Sequence, residues 1–188
     1  MLTLRPYQTK VIADIRAQYA AGARRILCQG PTGSGKTVQF GFVVSNAIAR
    51  GNRVVVLGHR DEILCQISDA FDQFGIAHAL VTAGYNGAAA PVIVASVATL
   101  TQRLHLLDGV ALIVVDEAHH SPAASWRRIL EAAPSARILG TTATPERLDG
   151  AGLSGLFDVL VIGPTVAELI AGGWLSSFAV FAPERLSI

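Results

Sequence analysis

The feature that most constrains this chain is a glycine-rich octapeptide at residues 30–37, which reads Gly-Pro-Thr-Gly-Ser-Gly-Lys-Thr. It follows an apolar segment at residues 26–28 and precedes the segment 38–40, so a buried strand is predicted to turn into a helix here. Gly33 and Gly35 can adopt backbone conformations closed to other residues, which lets successive N–H groups converge on phosphate oxygens. The octapeptide fits the pattern G-x-x-x-x-G-K-[ST] and predicts a phosphate-binding loop, with a glycine-rich turn as the alternative.

The side chains of this loop suggest how it would bind a nucleotide. Lys36 offers a point charge to the β- and γ-phosphates, and the Thr37 hydroxyl is a ligand for Mg²⁺. Of the 15 basic residues only Lys10 and Lys36 are lysines, so a flexible ammonium stands where such a loop needs one. The loop residues predicted to bind the nucleotide are Gly30, Pro31, Thr32, Gly33, Ser34, Gly35, Lys36 and Thr37.

Bulk properties limit what the chain can be. Its 188 residues suit one well-buried domain over residues 1–188, and a second domain of similar size would not fit. The net charge is +1, so the basic footprint of a dedicated nucleic-acid-binding module is missing. No apolar run is long enough to cross a membrane, and charged residues interrupt the amino terminus where a signal peptide would be apolar. Cys28 and Cys65 lack metal-ligand spacing and are interpreted as reduced, buried thiols, which predicts a cytoplasmic protein.

Strands and helices are predicted to alternate along the chain. The predicted strands cover residues 24–28, 53–57, 79–81, 92–95, 110–115, 137–140 and 158–162. The predicted helices cover residues 7–19, 38–49, 61–74, 96–106, 125–132 and 166–171. This alternation predicts an α/β fold with a mostly parallel central sheet and helices on both faces, in which ligands bind at the carboxyl ends of the strands.

A pair of carboxylates, Asp116 and Glu117, ends the most apolar predicted strand. A phosphate–Mg²⁺ site needs an anionic ligand opposite the phosphate-binding loop, and Asp116 suits that role. Glu117 is placed to orient or polarise a water for hydrolysis. Acidic pairs are common at strand ends, so the interpretation depends on the loop upstream.

Asp116-Glu117-Ala118-His119 is also a literal DEAH sequence, and here the chain resembles the superfamily 2 helicases. Residues 4–8, Leu-Arg-Pro-Tyr-Gln, resemble the family's Q motif, which implies that Gln8 reads the adenine edge, with Arg5 nearby. The resemblance implies a RecA-like P-loop domain that uses ATP and Mg²⁺. It places Lys36, Asp116, Glu117 and His119 in the catalytic set.

Other segments match the family's motifs in order. Residues 58–66 resemble motif Ia, 94–100 resemble the intervening strand-contacting segment, and 142–145, Thr-Ala-Thr-Pro, resemble motif III. The resemblance implies coupling through Thr142 and Thr144, while Arg147 is interpreted as structural or coupling rather than catalytic. The implied nucleic-acid contacts are Arg60, Gln66, Ser96 and Thr99. These side chains have simpler alternatives, with Ser96 as a helix cap and Arg60 as a solvated first-turn residue.

The motif combination is closest to the branch of repair helicases, phage helicases and restriction-enzyme motors, so DNA is expected over RNA. Nothing after motif III resembles motifs IV to VI, so a second RecA-like domain is expected to be a missing partner. Two rivals stay open, a small-molecule kinase and a non-catalytic partnering module. Trp174 is interpreted as a packing residue.

Overall fold

The structure is a computed structural model that describes residues 3–82, 85–86, 90–120, 123–144 and 153–177. The strands in this part of the chain are Arg25–Gln29 (β1), Arg53–Gly58 (β2), His78–Thr82 (β3), Tyr85–Asn86 (β4), Val92–Ser96 (β5), Val110–Val115 (β6), Arg137–Thr142 (β7) and Val159–Ile162 (β8). The α-helices are Pro6–Ala20 (α1), Lys36–Ile48 (α2), Asp61–Phe74 (α3), Val97–Gln102 (α4), Ala123–Ala132 (α5) and Val166–Ala171 (α6).

All these strands join one sheet in the order β4-β3-β5-β2-β6-β7-β1-β8. Every neighbouring pair is parallel except the two-residue strand β4, which runs antiparallel to β3. Parallel neighbours need crossover connections, and helices supply most of them here. The prediction of an α/β fold with a mostly parallel sheet is therefore confirmed.

Helices cover both faces of the sheet because the central strands are apolar on both sides. Along β2, Val54 and Val56 pack in one core cluster with residues of α1, α2 and α3. Val55 and Leu57 point the other way and join a second cluster with residues of α4 and α5. All four side chains are at most 1% exposed, and burying each contributes roughly 1.5–3 kcal/mol.

Several predicted boundaries shift. Helix α2 begins at Lys36 rather than at residue 38, and β7 continues through Thr141 and Thr142, beyond its predicted end at residue 140. The helix predicted at 96–106 is wrong in extent. It stops at Arg103, whose φ of −133° and ψ of 50° leave the helical region, and a 3₁₀ turn follows at Leu104–Leu107.

The sheet brings the predicted motifs to one edge. In the parallel register Gln29 at the end of β1 lies beside Thr142 at the end of β7, and Val115 at the end of β6 lies beside Gly140. The glycine-rich loop and Asp116 leave this edge directly after their strands. Among the described residues, no helix has the length and apolar character needed to cross a membrane.

Candidate active site

The glycine-rich loop is tied to the neighbouring strand by its backbone. Gly30 N–H donates to Thr142 O at 2.9 Å, which holds the start of the loop at the end of β7. Gly33 and Gly35 have φ values of +81° and +74°, in the left-handed region that glycine adopts at little cost. The Ser34 N–H donates to Pro31 O at 3.1 Å and closes the turn between them.

A set of α1 side chains and Gln39 supports the loop from behind. The carbonyl of Ser34 accepts hydrogen bonds from Tyr7 Oη at 3.0 Å, Gln8 Nε2 at 3.2 Å and Gln39 Nε2 at 3.4 Å. Gln8 Oε1 accepts from the Arg5 N–H at 2.9 Å. Gln8 is only 3% exposed, so in this structure its amide fixes the loop to the start of α1.

Trp174 joins this region from the far end of the chain. Its ring lies 5.1 Å from the Arg5 guanidinium carbon and 6.0 Å from the Tyr7 ring, at an angle of 60°. It is 40% exposed, so packing alone does not account for its position. The next residue also reaches the loop, because a Cβ on Gly33 would lie 2.9 Å from Leu175 Cδ2. No motif or spacing in the sequence predicts that Trp174 and Leu175 lie beside the loop.

Lys36 lies between the loop and the end of β6. Its Nζ donates to Gly30 O at 3.2 Å and lies 3.4 Å from Glu117 Oε1. The side chains of Lys36 and Glu117 are 11% and 24% exposed, so the pair is partly shielded from water. Thr37 is half-buried in the first turn of α2. The two motifs, 80 residues apart in the chain, thus meet in space.

Asp116 is the more buried of the two acidic residues. Burial raises its pKa above the usual value, while a hydrogen bond from Thr141 Oγ1 to Asp116 Oδ1, 2.7 Å long, and the charge of Lys36 lower it. The Asp116 N–H donates to Leu57 O at 2.8 Å, which continues the β2–β6 pairing to the first residue of the motif.

Glu117 and His119 link the site to the end of β7. Glu117 has a φ of 48°, a left-handed conformation that is uncommon outside glycine. His119 Nδ1 lies 2.8 Å from Thr142 Oγ1 and 3.4 Å from Glu117 Oε2. The Thr142 hydroxyl donates to Thr144 O and accepts from the Thr144 N–H. Because the Thr142 hydroxyl proton is used in the bond to Thr144 O, Thr142 Oγ1 can only accept a hydrogen bond from His119. The network therefore favours the His119 tautomer with the proton on Nδ1.

A row of imidazole rings extends from His119 toward the end of β2. The centroids of His119 and His120 are 4.0 Å apart, and His120 stacks on His59 at 4.2 Å with an interplanar angle of 29°. His59 precedes Arg60, the candidate nucleic-acid contact. Burial is the largest cause that lowers the pKa of both His59 and His119. Among the described residues, no group of three or more His, Cys, Asp or Glu side chains could hold a metal ion.

The candidate nucleic-acid contacts lie on β5, α3 and α4, along the same edge of the sheet. Arg60 precedes α3 and is exposed, and Gln66 is an exposed residue of α3. Ser96 acts as a helix cap, because its Oγ accepts from the Thr99 N–H at 3.0 Å and donates to Thr99 Oγ1 at 2.8 Å. The simpler alternative for Ser96 therefore holds in this structure. Pro145 and Arg147 lie outside the described residues.

The residues at this edge fit a nucleotide phosphate and Mg²⁺. Ser34 Oγ and Glu117 Oε2 are buried and lack a hydrogen-bond partner among the described atoms. Buried polar atoms without a partner are rare in proteins and are common where a ligand or water is bound. Thr37 and Asp116 supply the oxygen atoms that Mg²⁺ prefers.

Comparison with known proteins identifies the family. The family described as Type III restriction enzyme, res subunit, matches residues 1–147. The putative ATP-dependent helicase IRC3 of Saccharomyces cerevisiae is 34% identical over 191 residues, covering 92% of this chain and 28% of the relative. The putative DNA 3'-5' helicase Rad25 of Halobacterium salinarum is 35% identical over 157 residues, covering 79% of this chain and 24% of the relative.

Solved structures agree on the fold. The UvsW helicase of bacteriophage T4 superposes with a TM-score of 0.71 at 15% identity, covering 84% of this chain and 59% of that chain. The chain spans 28–33% of the length of three curated relatives, about a third of each. The chain belongs to the family of the Type III restriction enzyme res subunit within the superfamily 2 helicases, and it forms an N-terminal RecA-like domain of that superfamily.

Proposed function

We propose that this domain binds ATP and Mg²⁺ and supplies half of the active site of a nucleic-acid-dependent ATPase. The observation that carries the proposal is the contact between Lys36 Nζ and Glu117 Oε1 at 3.4 Å. It supports the proposal because an ammonium suited to phosphate lies beside a carboxylate suited to water activation, at the carboxyl edge of a parallel sheet.

The loop and α1 would hold the nucleotide. The N–H groups of Gly33, Ser34 and Gly35, with the amino end of α2, would surround the phosphates, and Lys36 would leave Glu117 to contact them. The Gln8 amide retains one donor and one acceptor site beyond its present hydrogen bonds, so a small rotation would let it meet the adenine edge. Arg5 and Trp174 would border the base.

Glu117 would orient the attacking water once Lys36 has turned to the phosphates. When bound, Mg²⁺ would neutralise phosphate charge, with Thr37 and Asp116 as its holders. A movement of Glu117 would reach Thr142 through His119, because His119 Nδ1 lies within reach of both side chains. The backbone of Thr144 is hydrogen-bonded to the Thr142 hydroxyl, so a movement of Thr142 would also move Thr144, which follows β7.

A second RecA-like domain is the proposed partner for catalysis. It would supply arginine side chains that stabilise transition-state charge, an effect worth roughly three to five orders of magnitude in rate. The relatives' greater length supports this proposal. DNA is the proposed track, supported by the printed name of the Halobacterium relative, a putative DNA helicase. A cytoplasmic location stays a prediction that rests on the free cysteines, of which Cys28 is buried as expected and Cys65, on the outer side of α3, is exposed.

Binding of a fluorescent N-methylanthraniloyl-ATP tests the nucleotide site in this chain. Lys36→Ala should weaken Mg²⁺-dependent binding about tenfold or more, because a charge-assisted contact contributes roughly 1.5–3 kcal/mol. The matched control is Lys10→Ala, which removes the only other lysine, an exposed residue of α1. Equal affinity in the two variants would contradict the proposal.

The ATPase rate tests the division of the active site. This chain alone should bind nucleotide weakly and turn it over hardly at all, with or without DNA, because the arginines of the second domain are absent from it. A DNA-stimulated rate in the isolated chain, typical of complete motors, would contradict the need for a second domain. Arg60→Gln in the longer protein should reduce DNA stimulation, whereas Arg128→Gln, an exposed change on α5, should not.

A further inference from the structure

A cavity of about 760 Å³ lies at the opposite edge of the sheet from the glycine-rich loop. It opens between the last turns of α1 and α2 and the amino ends of β6 and β7, where Val110 and Arg137 are the first strand residues. Its volume falls within the range of small-molecule sites, roughly 300–1,000 Å³. None of the residues assigned above to ATP, Mg²⁺ or nucleic acid lines it.

The walls of this cavity are apolar at their base. The apolar lining residues include Ile15, Val43, Ala47, Val110 and Leu112. Ile15, Val110 and Leu112 are 2%, 4% and 6% exposed and belong to the two core clusters, so they form a fixed surface. Such a surface suits the flat or branched apolar body of a ligand.

Three arginines also line the cavity. No aspartate or glutamate is among its described lining residues. Arg16, Arg50 and Arg137 form no ion pair with a carboxylate in the described part of the chain. Instead, the guanidinium carbon of Arg137 lies 5.2 Å from the Tyr19 ring centroid, and that of Arg16 lies 5.6 Å from the Phe42 ring centroid. Aromatic contacts of this kind orient a guanidinium while leaving its N–H donors free for an anion.

The arginines are not needed to satisfy the helix ends nearby. At the end of α2, Ala47 O accepts the backbone N–H groups of both Arg50 and Asn52, and at the end of α1, Tyr19 O accepts the Gly22 N–H. Other arginines near this edge do serve the backbone, since the Arg24 guanidinium donates to Pro134 O at 2.8 Å. Within the described chain, the side chains of the three cavity arginines have no such acceptor.

We propose that this cavity binds a small organic anion that joins an apolar body to a carboxylate, sulfonate or phosphate group. Arg16, Arg50 and Arg137 receive the charged group, and the apolar base receives the body. Asn46 and Asn52 also line the cavity and offer amide groups to polar atoms of the ligand. A concave site with an apolar base favours such a molecule over a nucleic-acid backbone, which carries its charge without an apolar body.

The fluorescent probe 8-anilinonaphthalene-1-sulfonate has this combination of ring and charge, and its neutral analogue N-phenyl-1-naphthylamine lacks the charge. The chain should bind one sulfonate probe saturably and at least about tenfold more tightly than the neutral analogue, as expected for a charge-assisted contact. Excess Mg²⁺–ATP should not displace the probe. Side-chain amide signals of Asn46 and Asn52 should shift in nitrogen-15 spectra.

Substitutions at the three exposed arginines test their role with little risk to the fold. The double variant Arg16→Gln/Arg137→Gln should weaken the sulfonate probe about tenfold or more and leave the neutral analogue unchanged, and Arg50→Gln should act in the same direction. Arg128→Gln and Lys10→Ala are the controls and should bind as the parent chain does. Equal binding of the two probes, displacement by Mg²⁺–ATP, or full affinity in the double variant would overturn the proposal.

Discussion

Lys36 and Glu117 contact each other across the candidate site, with 3.4 Å between Nζ and Oε1, and the same ammonium donates to Gly30 O at 3.2 Å. In the proposed function, the Lys36 ammonium would contact the phosphates and the Glu117 carboxylate would orient the attacking water. In this structure the two groups instead contact each other. A nucleotide would have to separate them before either could act in the proposed function. Here the Lys36 ammonium stays within the site, between Gly30 O and Glu117.

Replacing Glu117 by glutamine should therefore tighten ATP binding while abolishing hydrolysis. The neutral amide releases Lys36, and a partly shielded ion pair contributes up to about 1 kcal/mol, so the affinity should rise by roughly twofold to fivefold. Titration of this chain with N-methylanthraniloyl-ATP measures the first effect. The ATPase rate of the longer protein measures the second. Glu62→Gln, an exposed change in the first turn of α3, is the control. Weaker ATP binding in Glu117→Gln would contradict this account of the contact.

Thr141→Val should make Mg²⁺-dependent nucleotide binding more sensitive to acid. The change removes the hydrogen bond that lowers the pKa of Asp116, so burial raises that pKa further. Mg²⁺ needs the ionised carboxylate, so lowering the pH from about 8 to about 6 should reduce the apparent Mg²⁺ affinity more in the variant than in the parent chain. Mg²⁺ titrations of the bound ATP analogue at the two pH values test this.

The control for Thr141→Val is Thr101→Val, which also removes a buried hydroxyl, one that donates to Ala98 O at 2.8 Å in α4. It should leave the Mg²⁺ dependence unchanged at both pH values. If both variants lose affinity equally at both pH values, the effect arises from packing, and the proposed role of Thr141 is wrong.

The sequence was sufficient to predict the sheet and its functional edge. Helices and strands can be predicted from local patterns, here the alternating apolar segments and the glycines that end them. Because the strands pair in parallel, their carboxyl ends must then lie at the same edge of the sheet. Exact boundaries were harder to predict because tertiary pairing decides them. Thr141 and Thr142 extend β7 because Cys28 and Gln29 of β1 lie beside them. No local signal in a Thr-Thr-Ala-Thr segment reveals that partner.

Site residues could be predicted only where they belong to a sequence motif of defined spacing. Lys36 and Glu117 are found by motif, but Trp174 reaches Arg5 through the turn after α6, and the sequence separates them by almost the whole chain. The stack of His59 on His120 likewise depends on β2 and β6 being neighbours in the sheet. The adenine contact that the family resemblance implies for Gln8 stays a prediction, and no sequence pattern indicated the contact between its amide and Ser34 O.

Gly35→Ala should destabilise the fold more than Gly51→Ala, although both positions have nearly the same backbone conformation. Their φ values are +74° and +77°, and an alanine there costs roughly 1–2 kcal/mol in either case. A Cβ on Gly35 would also lie 2.5 Å from Gln8 Nε2, whereas nothing lies within 4 Å at Gly51. Urea unfolding should show the larger loss for Gly35→Ala, with reduced ATP binding.

A second change separates the collision at Gly35 from the backbone strain. Gln8→Ala in the Gly35→Ala background removes the obstructing amide, so the double variant should lose less stability than the sum of the two single changes. Additive losses would mean that Gln8 moves aside at no cost, and the proposed contact between α1 and the loop would then contribute nothing to the position of the loop.

Acid should destabilise this domain through its row of histidines. Burial first, and then the charges of His120 and of Arg60 beside His59 or Lys36 beside His119, lower the pKa of both groups below 6.5, against the opposite effect of Glu117. At about pH 8 both groups are neutral whether the chain is folded or unfolded. As the pH falls through about 6.5, the unfolded chain takes up protons that the folded chain does not, so the free energy of unfolding falls.

The pH range from about 6.5 to about 5 suits this test, because carboxylates with lowered pKa, such as those of Asp158 and Glu168, lose their contribution only at lower pH. Asp116, whose pKa is raised, has the opposite effect on stability, but it is present in the parent chain and in the variant alike. In urea unfolding across that range, His59→Gln should show a smaller pH slope than the parent chain, since one titrating group is removed. His105→Gln, an exposed change in the 3₁₀ turn, is the control and should keep the parent slope. An unchanged slope in His59→Gln would mean that the stacked rings are not the acid-sensitive contact, and the stability loss would then have to originate elsewhere in the fold.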